Sequence, residues 1–384
     1  METGVSTLHS PPPTPMNTYD QITKPTLLLD ETIARRNIAR MAAKARQSGV
    51  RFRPHFKTHQ SAEIGQWFRE EGVTAITVSS VDMAAYFAHH GWDDILIAFP
   101  ANLRQLAELD QLAEQIHLHL LLESVEAAER LSAGLRHEVA IWLKIDVGYH
   151  RTGLDWQHMA DITAVAQTVH ALPRLRLAGL LTHAGYGYKV GGAAEAHAVY
   201  EQMVARMNAV RDGLRNVGLE TAVSIGDTPT GSLVDRFDGV DEIRPGNFVF
   251  YDTMQVGIGA CQPEDVAVAC ACPIVAKHAD RRQIVVYGGA IHLSKERLAD
   301  ADGQVNYGRI ALPTAHGWHI LPPQNVVKTM SQEHGIIQAD EALFQQAQIG
   351  DLLLVLPVHS CLTANLLKRY LTLDGRWIEM ADIH

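Results

Sequence analysis

The sequence predicts an α/β protein in which a closed (β/α)8 barrel of the TIM type precedes a C-terminal, mainly β domain. Three observations carry that prediction. Eight short apolar runs alternate with helical patterns from Asp30 onward, the helical period gives way to β-rich text after about Gly257, and polar, glycine-rich segments gather at one end of the eight runs. An open, doubly wound sheet shares the alternation and is the alternative architecture.

Residues 1–18 hold Pro11-Pro12-Pro13-Thr14-Pro15 and lack the basic and apolar regions of a signal peptide, which predicts a flexible tail on a cytoplasmic protein. The barrel is expected over residues 19–257 and the β domain over 258–384. The run Thr26–Leu29 comes before the eight barrel strands, so it is available to pair with the β domain instead. Asp30 suits the N-cap of a helix that turns Ile33, Ile38 and Met41 to one face. Barrel strands are expected at 51–56, 75–79, 95–99, 117–122, 139–145, 175–181, 221–225 and 242–244, joined by helices such as 61–71, 103–115, 125–135 and 194–217. Beyond them, 266–276, 283–287, 325–329 and 351–356 are the clearer strands.

Composition narrows the function. Of 384 residues, 47% are hydrophobic and 20% charged, the balance of a folded chain with ample core. A formal charge of −10 without a basic cluster argues against nucleic acid, and no apolar run approaches a membrane span. Cys261, Cys270, Cys272 and Cys361 all lie in the last third and do not form a disulfide framework. The partner these features leave is a small molecule.

In a barrel, chemistry sits on the loops after the strands. Those loops hold Lys57, Asp146 to Arg151, Thr182-His183, Tyr186, Tyr188, Gly226-Asp227-Thr228-Pro229-Thr230-Gly231 and Arg244-Pro245-Gly246-Asn247. Lys57 stands in Arg53-Pro54-His55-Phe56-Lys57-Thr58-His59, where neighbouring cations and partial removal from water would lower its pKa and make it a nucleophilic amine. The last two loops supply small residues, hydroxyls and backbone N–H groups, the materials of a phosphate cup. A lysine opposite a phosphate cup suits pyridoxal 5′-phosphate, although an aldolase with a lysine Schiff base fits the same pair. His117 and His119 alternate on a strand and read as core or hydrogen-bonded residues.

His359-Ser360-Cys361 follows an apolar run and Pro357, and residues two apart on an extended chain face one side. An imidazole beside a thiolate prefers zinc.

The segments 53–59, Asp146-Val147-Gly148-Tyr149-His150-Arg151-Thr152-Gly153, Gly226-Asp227-Thr228-Pro229-Thr230 and 244–252 stand in the order seen in one family. The chain resembles the D-serine dehydratase and D-threonine aldolase group of alanine-racemase-type (fold III) pyridoxal phosphate enzymes, from about Lys24 to about Gly375. The resemblance implies a lyase in which Lys57 carries the cofactor and handles the α proton, with Gly226, Thr228, Gly246 and Asn247 on the phosphate. It implies Arg151 near the phenolic oxygen, Arg244 near the pyridine ring, where Tyr186 or Tyr188 could stand instead, and His183 and Tyr188 in contact with cofactor or substrate. It also implies metal ligation by His359 and Cys361, with zinc or another divalent ion. Gln60 departs from the family, which has a basic residue there. Family aldolases carry His-x-Asp where this chain has His-x-Cys, the dehydratase pattern, so dehydration of D-serine or D-threo-3-hydroxyaspartate is favoured over retro-aldol cleavage. An amino-acid racemase and a non-catalytic cofactor carrier are lesser alternatives, the second disfavoured by the C-terminal domain. A homodimer is implied, with loops 287–292 and 331–335 of one subunit near the barrel mouth of the other.

Overall fold

The computed structural model describes residues 18–299 and 303–383. The tail expected over residues 1–18 lies outside them except for Thr18, which opens the 3-10 turn Thr18–Gln21.

Eight parallel strands form the barrel: Arg51–Phe52, Ile76–Val78, Asp94–Pro100, His117–Leu122, Val139–Asp146, Leu175–Leu181, Ala222–Ile225 and Glu242–Ile243. Strands adjacent in this order pair in parallel, except that the first and second meet only at a single bridge. Glu242–Ile243 returns to Arg51–Phe52, and the bridge between His55 and Thr77 closes the ring. The first strand is shorter than its apolar text suggested. Pro54 has no N–H to give the ladder, so regular pairing stops at Phe52. The chain continues extended, with Arg53 N–H to Ile243 O at 3.0 Å and His55 N–H to Pro245 O at 3.0 Å, and then turns at Phe56.

Helices cover the outside because each strand alternates its residues between two faces. Ile95 and Ile97 pack outward in the main core, while Leu96 joins Leu121, Trp142 and Leu181 in a separate apolar cluster. Asp30 caps the helix Glu31–Ser48 through Ile33 N–H at 3.0 Å, and Ile38 and Met41 are buried. His119 is buried, its Nδ1 accepting from Trp142 Nε1 at 3.0 Å. His117, by contrast, is exposed. It stands one pleat lower, at the open start of the strand, so the expectation of a core role holds for His119 alone.

The second sheet runs Gln283–Tyr287, His334–Gln338, Val326–Met330, Gly308–Thr314, Leu352–Pro357, Val268–His278, Thr26–Leu29, Arg369–Thr372 and Trp377–Glu379, with Gly317–Ile320 beside Gly308–Thr314. Thr26–Leu29 sits in its middle, antiparallel to Val268–His278 and parallel to Arg369–Thr372, which explains why all four residues are buried. The four cysteines are free and buried. Among the described residues, no helix is long and apolar enough to cross a membrane.

Tight strand packing gives one test of the barrel. A Cβ on Gly179 would stand 2.4 Å from Ala222 O and 2.6 Å from the Trp142 ring. Gly179→Ala is expected to lower unfolding free energy by roughly 1–3 kcal/mol, read from urea titration of the purified protein.

Candidate active site

A cavity of about 320 Å³ opens at the carboxyl ends of the barrel strands. Its lining includes Lys57, Arg151, His183, Tyr188, Gly226, Thr228, Arg244, Gly246, Asn247, His359 and Cys361, whereas Tyr186, also named from the sequence, does not border it.

At the seventh strand end, Asp227 caps the short helix Thr228–Leu233, accepting from Thr230 N–H at 2.8 Å and Thr230 Oγ1 at 2.6 Å. Burial lifts its carboxyl to about 6. Thr228 Oγ1 is buried without a partner. The backbone approaches closely here: a Cβ on Gly246 would meet His55 O at 2.8 Å, and one on Gly226 would meet Arg244 Cβ at 2.9 Å. Only glycine fits these walls. The Asn247 amide donates to Asp252 Oδ2 at 2.7 Å and Ser360 Oγ at 2.9 Å, so its Nδ2 is committed to the protein, while Oδ1 is buried without a partner.

Arg244 is buried, with Nε to Ser224 Oγ at 2.7 Å and Nη2 to Thr182 O at 2.6 Å. Burial brings its pKa down to about 10. Arg151 is exposed at the cavity edge and lies over Tyr149, 5.3 Å from the ring centre. The carboxylate of Asp146 instead accepts from the N–H groups of Gly148, Tyr149 and His150, which shapes the loop carrying Arg151. His183 donates Nδ1–H to Gly226 O and is held neutral, chiefly by burial, with its pKa near 3. Tyr188 stands 6.1 Å from His183, and burial raises its phenol.

Lys57 occupies a tight turn and is exposed, not partly shielded as its neighbours in sequence suggested. The strand ends before it, so the side chain projects from a loop. The loop itself is fixed by distant residues. Gln60, at φ 46°, donates to Lys57 O at 3.1 Å and to Asn365 Oδ1 at 3.2 Å. Thr58 Oγ1 lies 3.3 Å from Cys361 Sγ, and Tyr370 donates to His59 O at 2.8 Å. His59 does not reach the cavity; it is buried between Phe56 and Phe68, with ring centroids 4.4 and 5.4 Å away.

Cys361 does not sit on an extended chain. His359 is the N-cap of the helix Ser360–Leu367, and Cys361 belongs to its first turn. Even so, the two side chains are close enough to act on each other's charge. Burial opposes both charges, yet each holds the other: the imidazole is raised to about 9 and the thiol lowered to about 7. Among the described residues, no cluster of three or more His, Cys, Asp or Glu forms there.

Two cavity residues escaped the sequence reading. His55 lines the wall beside Lys57, and burial followed by the Lys57 and Arg244 charges pushes it well below its ordinary range. Lys144, on an inward position of the fifth strand, is buried and lowered to about 8 by burial, then by Arg244 and Arg151. An inward lysine near a strand's carboxyl end was the available signal.

Residues 29–253 match the family described as alanine racemase, N-terminal domain, and residues 267–373 that described as putative serine dehydratase domain. The D-threo-3-hydroxyaspartate dehydratase of Delftia sp. (strain HT23) is 33% identical over 91% of this chain and 94% of its own. The chain belongs to the D-serine dehydratase and D-threonine aldolase family of alanine-racemase-type enzymes. A D-serine dehydratase of Dictyostelium discoideum is 28% identical over 91% of this chain and 93% of its own. The solved Delftia enzyme superposes with a TM-score of 0.88 at 30% identity, covering 96% of this chain and 100% of that one. A cysteine-to-alanine variant of it, in a metal-free form, gives 0.90 at 30% identity over the same shares, and a histidine-to-alanine variant was also solved. The two substituted positions are two residues apart, the spacing of His359 and Cys361. Membership of this family supports pyridoxal 5′-phosphate as cofactor, and the orphaned Thr228 hydroxyl and the glycine walls fit an anionic group.

Burial of His59 carries a pH signature. Its pKa near 3, set chiefly by burial, lies below the ordinary 6.5, so below about 6.5 the unfolded chain binds a proton that the folded chain refuses. The contribution of His59 is intact above that value and falls as the solution is acidified, by at most ~1.4 kcal/mol per pH unit. Its imidazole proton resonances should show no titration between pH 8 and about 5.

Proposed function

We propose that the chain is a pyridoxal phosphate- and zinc-dependent lyase that dehydrates small D-β-hydroxy amino acids, D-serine or D-threo-3-hydroxyaspartate, to a 2-keto acid and ammonia. The observation that carries this reading is the His359–Cys361 pair, whose sulfur lies against Thr58, the residue after Lys57.

The phosphate would be held by Thr228 Oγ1 and by backbone N–H groups at Gly226, Gly246 and Asn247, since Asn247 Nδ2 is engaged elsewhere. When bound, pyridoxal phosphate supplies a carbonyl for the substrate amine and an electron sink for a bond broken at the α carbon. Arg244 and Arg151 supply positive charge to the ring and its oxygen, and His183 and Tyr188 border the same space. Lys57 Nζ takes the α proton. Its exposure within the cavity gives it the reach, and the clamped loop gives it direction.

A thiolate and an imidazole form the sulfur and nitrogen donor set that zinc prefers. Thr58 Oγ1 and Asn247 Nδ2, at 3.3 and 3.5 Å, can both donate to the sulfur, which favours the ionised form a metal needs. His359 and Cys361 would hold zinc, which would supply Lewis acidity toward the departing β-hydroxyl. We read the active species as a homodimer, because the helix Ala290–Leu293 packs on Ser360–Leu367 and carries exposed Ile291 beside exposed Leu362 and Leu366.

Purified holoenzyme with zinc should convert D-serine or D-threo-3-hydroxyaspartate to keto acid and ammonia and leave the L-serine control unchanged. Glycine and an aldehyde as the products would overturn dehydration in favour of retro-aldol cleavage. A chelator should abolish turnover and added zinc restore it; full activity in chelator would remove the metal from the mechanism. Lys57→Ala should lose the visible absorbance of the bound cofactor and reduce turnover by roughly 100-fold or more.

A further inference from the structure

Below the cavity floor, the barrel interior holds a chain of charged and hydroxyl groups that ends on Arg244. Glu242 is 2% exposed, Ser224 0% and Arg244 4%. Glu242 Oε2 accepts from Arg53 Nε at 2.7 Å, and Oε1 accepts from Ser224 Oγ at 2.7 Å. The single proton of Ser224 is thereby committed to the carboxylate, and its lone pairs are turned to Arg244 Nε–H at 2.7 Å. Arg53 is itself anchored on Asp94, whose Oδ1 also lies 3.1 Å from Nε2 of His119. Trp142 donates to the other nitrogen of that imidazole, which fixes the tautomer. From Arg244 through Ser224 to Glu242 the chain is directional.

We propose that Ser224 and Glu242 are positioning residues for Arg244. Glu242 polarises the Ser224 hydroxyl, the hydroxyl and Thr182 O together fix the plane of the guanidinium, and the plane sets where its remaining N–H groups point into the cavity. The inference rests on the proposed role of Arg244 beside the cofactor's ring nitrogen. A guanidinium locked there keeps that nitrogen unprotonated. One free to rotate does not. A Lys or Met at position 244 would change the contact itself, whereas changes at Ser224 and Glu242 act only through it.

A purely structural network would alter stability and nothing else, so the test reads the ring nitrogen directly. Holoenzymes of wild type, Ser224→Ala, Ser224→Thr, Glu242→Gln and Arg244→Met are loaded with ring-15N pyridoxal phosphate, and the 15N resonance is recorded with kcat and KM. The expected result is an unprotonated resonance in wild type and a shift toward the protonated position in Ser224→Ala and Glu242→Gln. The same two variants should lose about 10-fold in kcat, with little change in KM, the size of one hydrogen bond to a charged group. Ser224→Thr keeps the hydroxyl and should restore the wild-type resonance. If Arg244→Met shifts the resonance while Ser224→Ala and Glu242→Gln leave it in place, the relay is wrong. If Arg244→Met leaves it in place too, the role of Arg244 at the ring falls, and the inference with it.

Discussion

Thr58 and Cys361, 303 positions apart in the chain, meet at 3.3 Å, and much of the site depends on that contact. One belongs to the turn after the first barrel strand, the other to the first turn of the helix Ser360–Leu367. Two further links run in parallel, Gln60 to Asn365 and Tyr370 to the carbonyl of His59. The turn bearing Lys57 is therefore held from both sides, by the barrel through Thr77 and by the C-terminal domain through these three contacts. Because Thr26–Leu29 lies between Val268–His278 and Arg369–Thr372, the C-terminal sheet closes only with an N-terminal strand in it. Neither half completes the site alone.

Electrostatics follow the same economy of contacts. Buried charge in the barrel is paired: Arg53 with Asp94 and Glu242, Asp94 with Arg51 and His119. Nearer the mouth, cations outnumber carboxylates, with Lys57, Lys144, Arg151 and Arg244 lining a cavity whose one aspartate, Asp227, is turned to its own helix. Burial keeps His183 and His55 neutral there, which avoids adding further charge. Such a space favours an anionic guest.

The sequence made the barrel legible because its strands are apolar runs set between turn residues, and the inward and outward faces of 117–122 or 139–145 need no tertiary information. Strand ends also exposed most of the site, since a glycine-rich loop after a strand is a local feature. What stayed hidden was non-local. In the sequence Arg53 is a charge beside Lys57, and nothing local pairs it with Asp94 and Glu242 until the ring brings them together. Strand alternation alone turns Lys144 inward, but only closure of the barrel brings Arg244 and Arg151 to bear on it. Strands such as Gly317–Ile320 and Arg369–Thr372 lack a strong period, being edge-like or sandwiched by partners far along the chain. The shape of His359 and Cys361 was misjudged for a related reason: proline ends the strand, and a helix starts at once.

An exposed lysine opposite a phosphate cup serves racemisation, cleavage and dehydration alike, so the outcome must be decided around it. Asn247 shows how. Its backbone lies at the proposed cup, while its amide nitrogen donates to Asp252 and Ser360 and lies 3.5 Å from the sulfur of Cys361. The cup and the His359–Cys361 pair thus share a residue, just as Lys57 and Cys361 share Thr58 as neighbour. A ligand drawing the sulfur by a few tenths of an ångström would strain hydrogen bonds to both the lysine turn and the cup, since such bonds weaken steeply with distance and angle. Under the proposed function, the side chain at position 361 would act on the reaction twice, through the metal it holds and through how it seats the two groups that flank it.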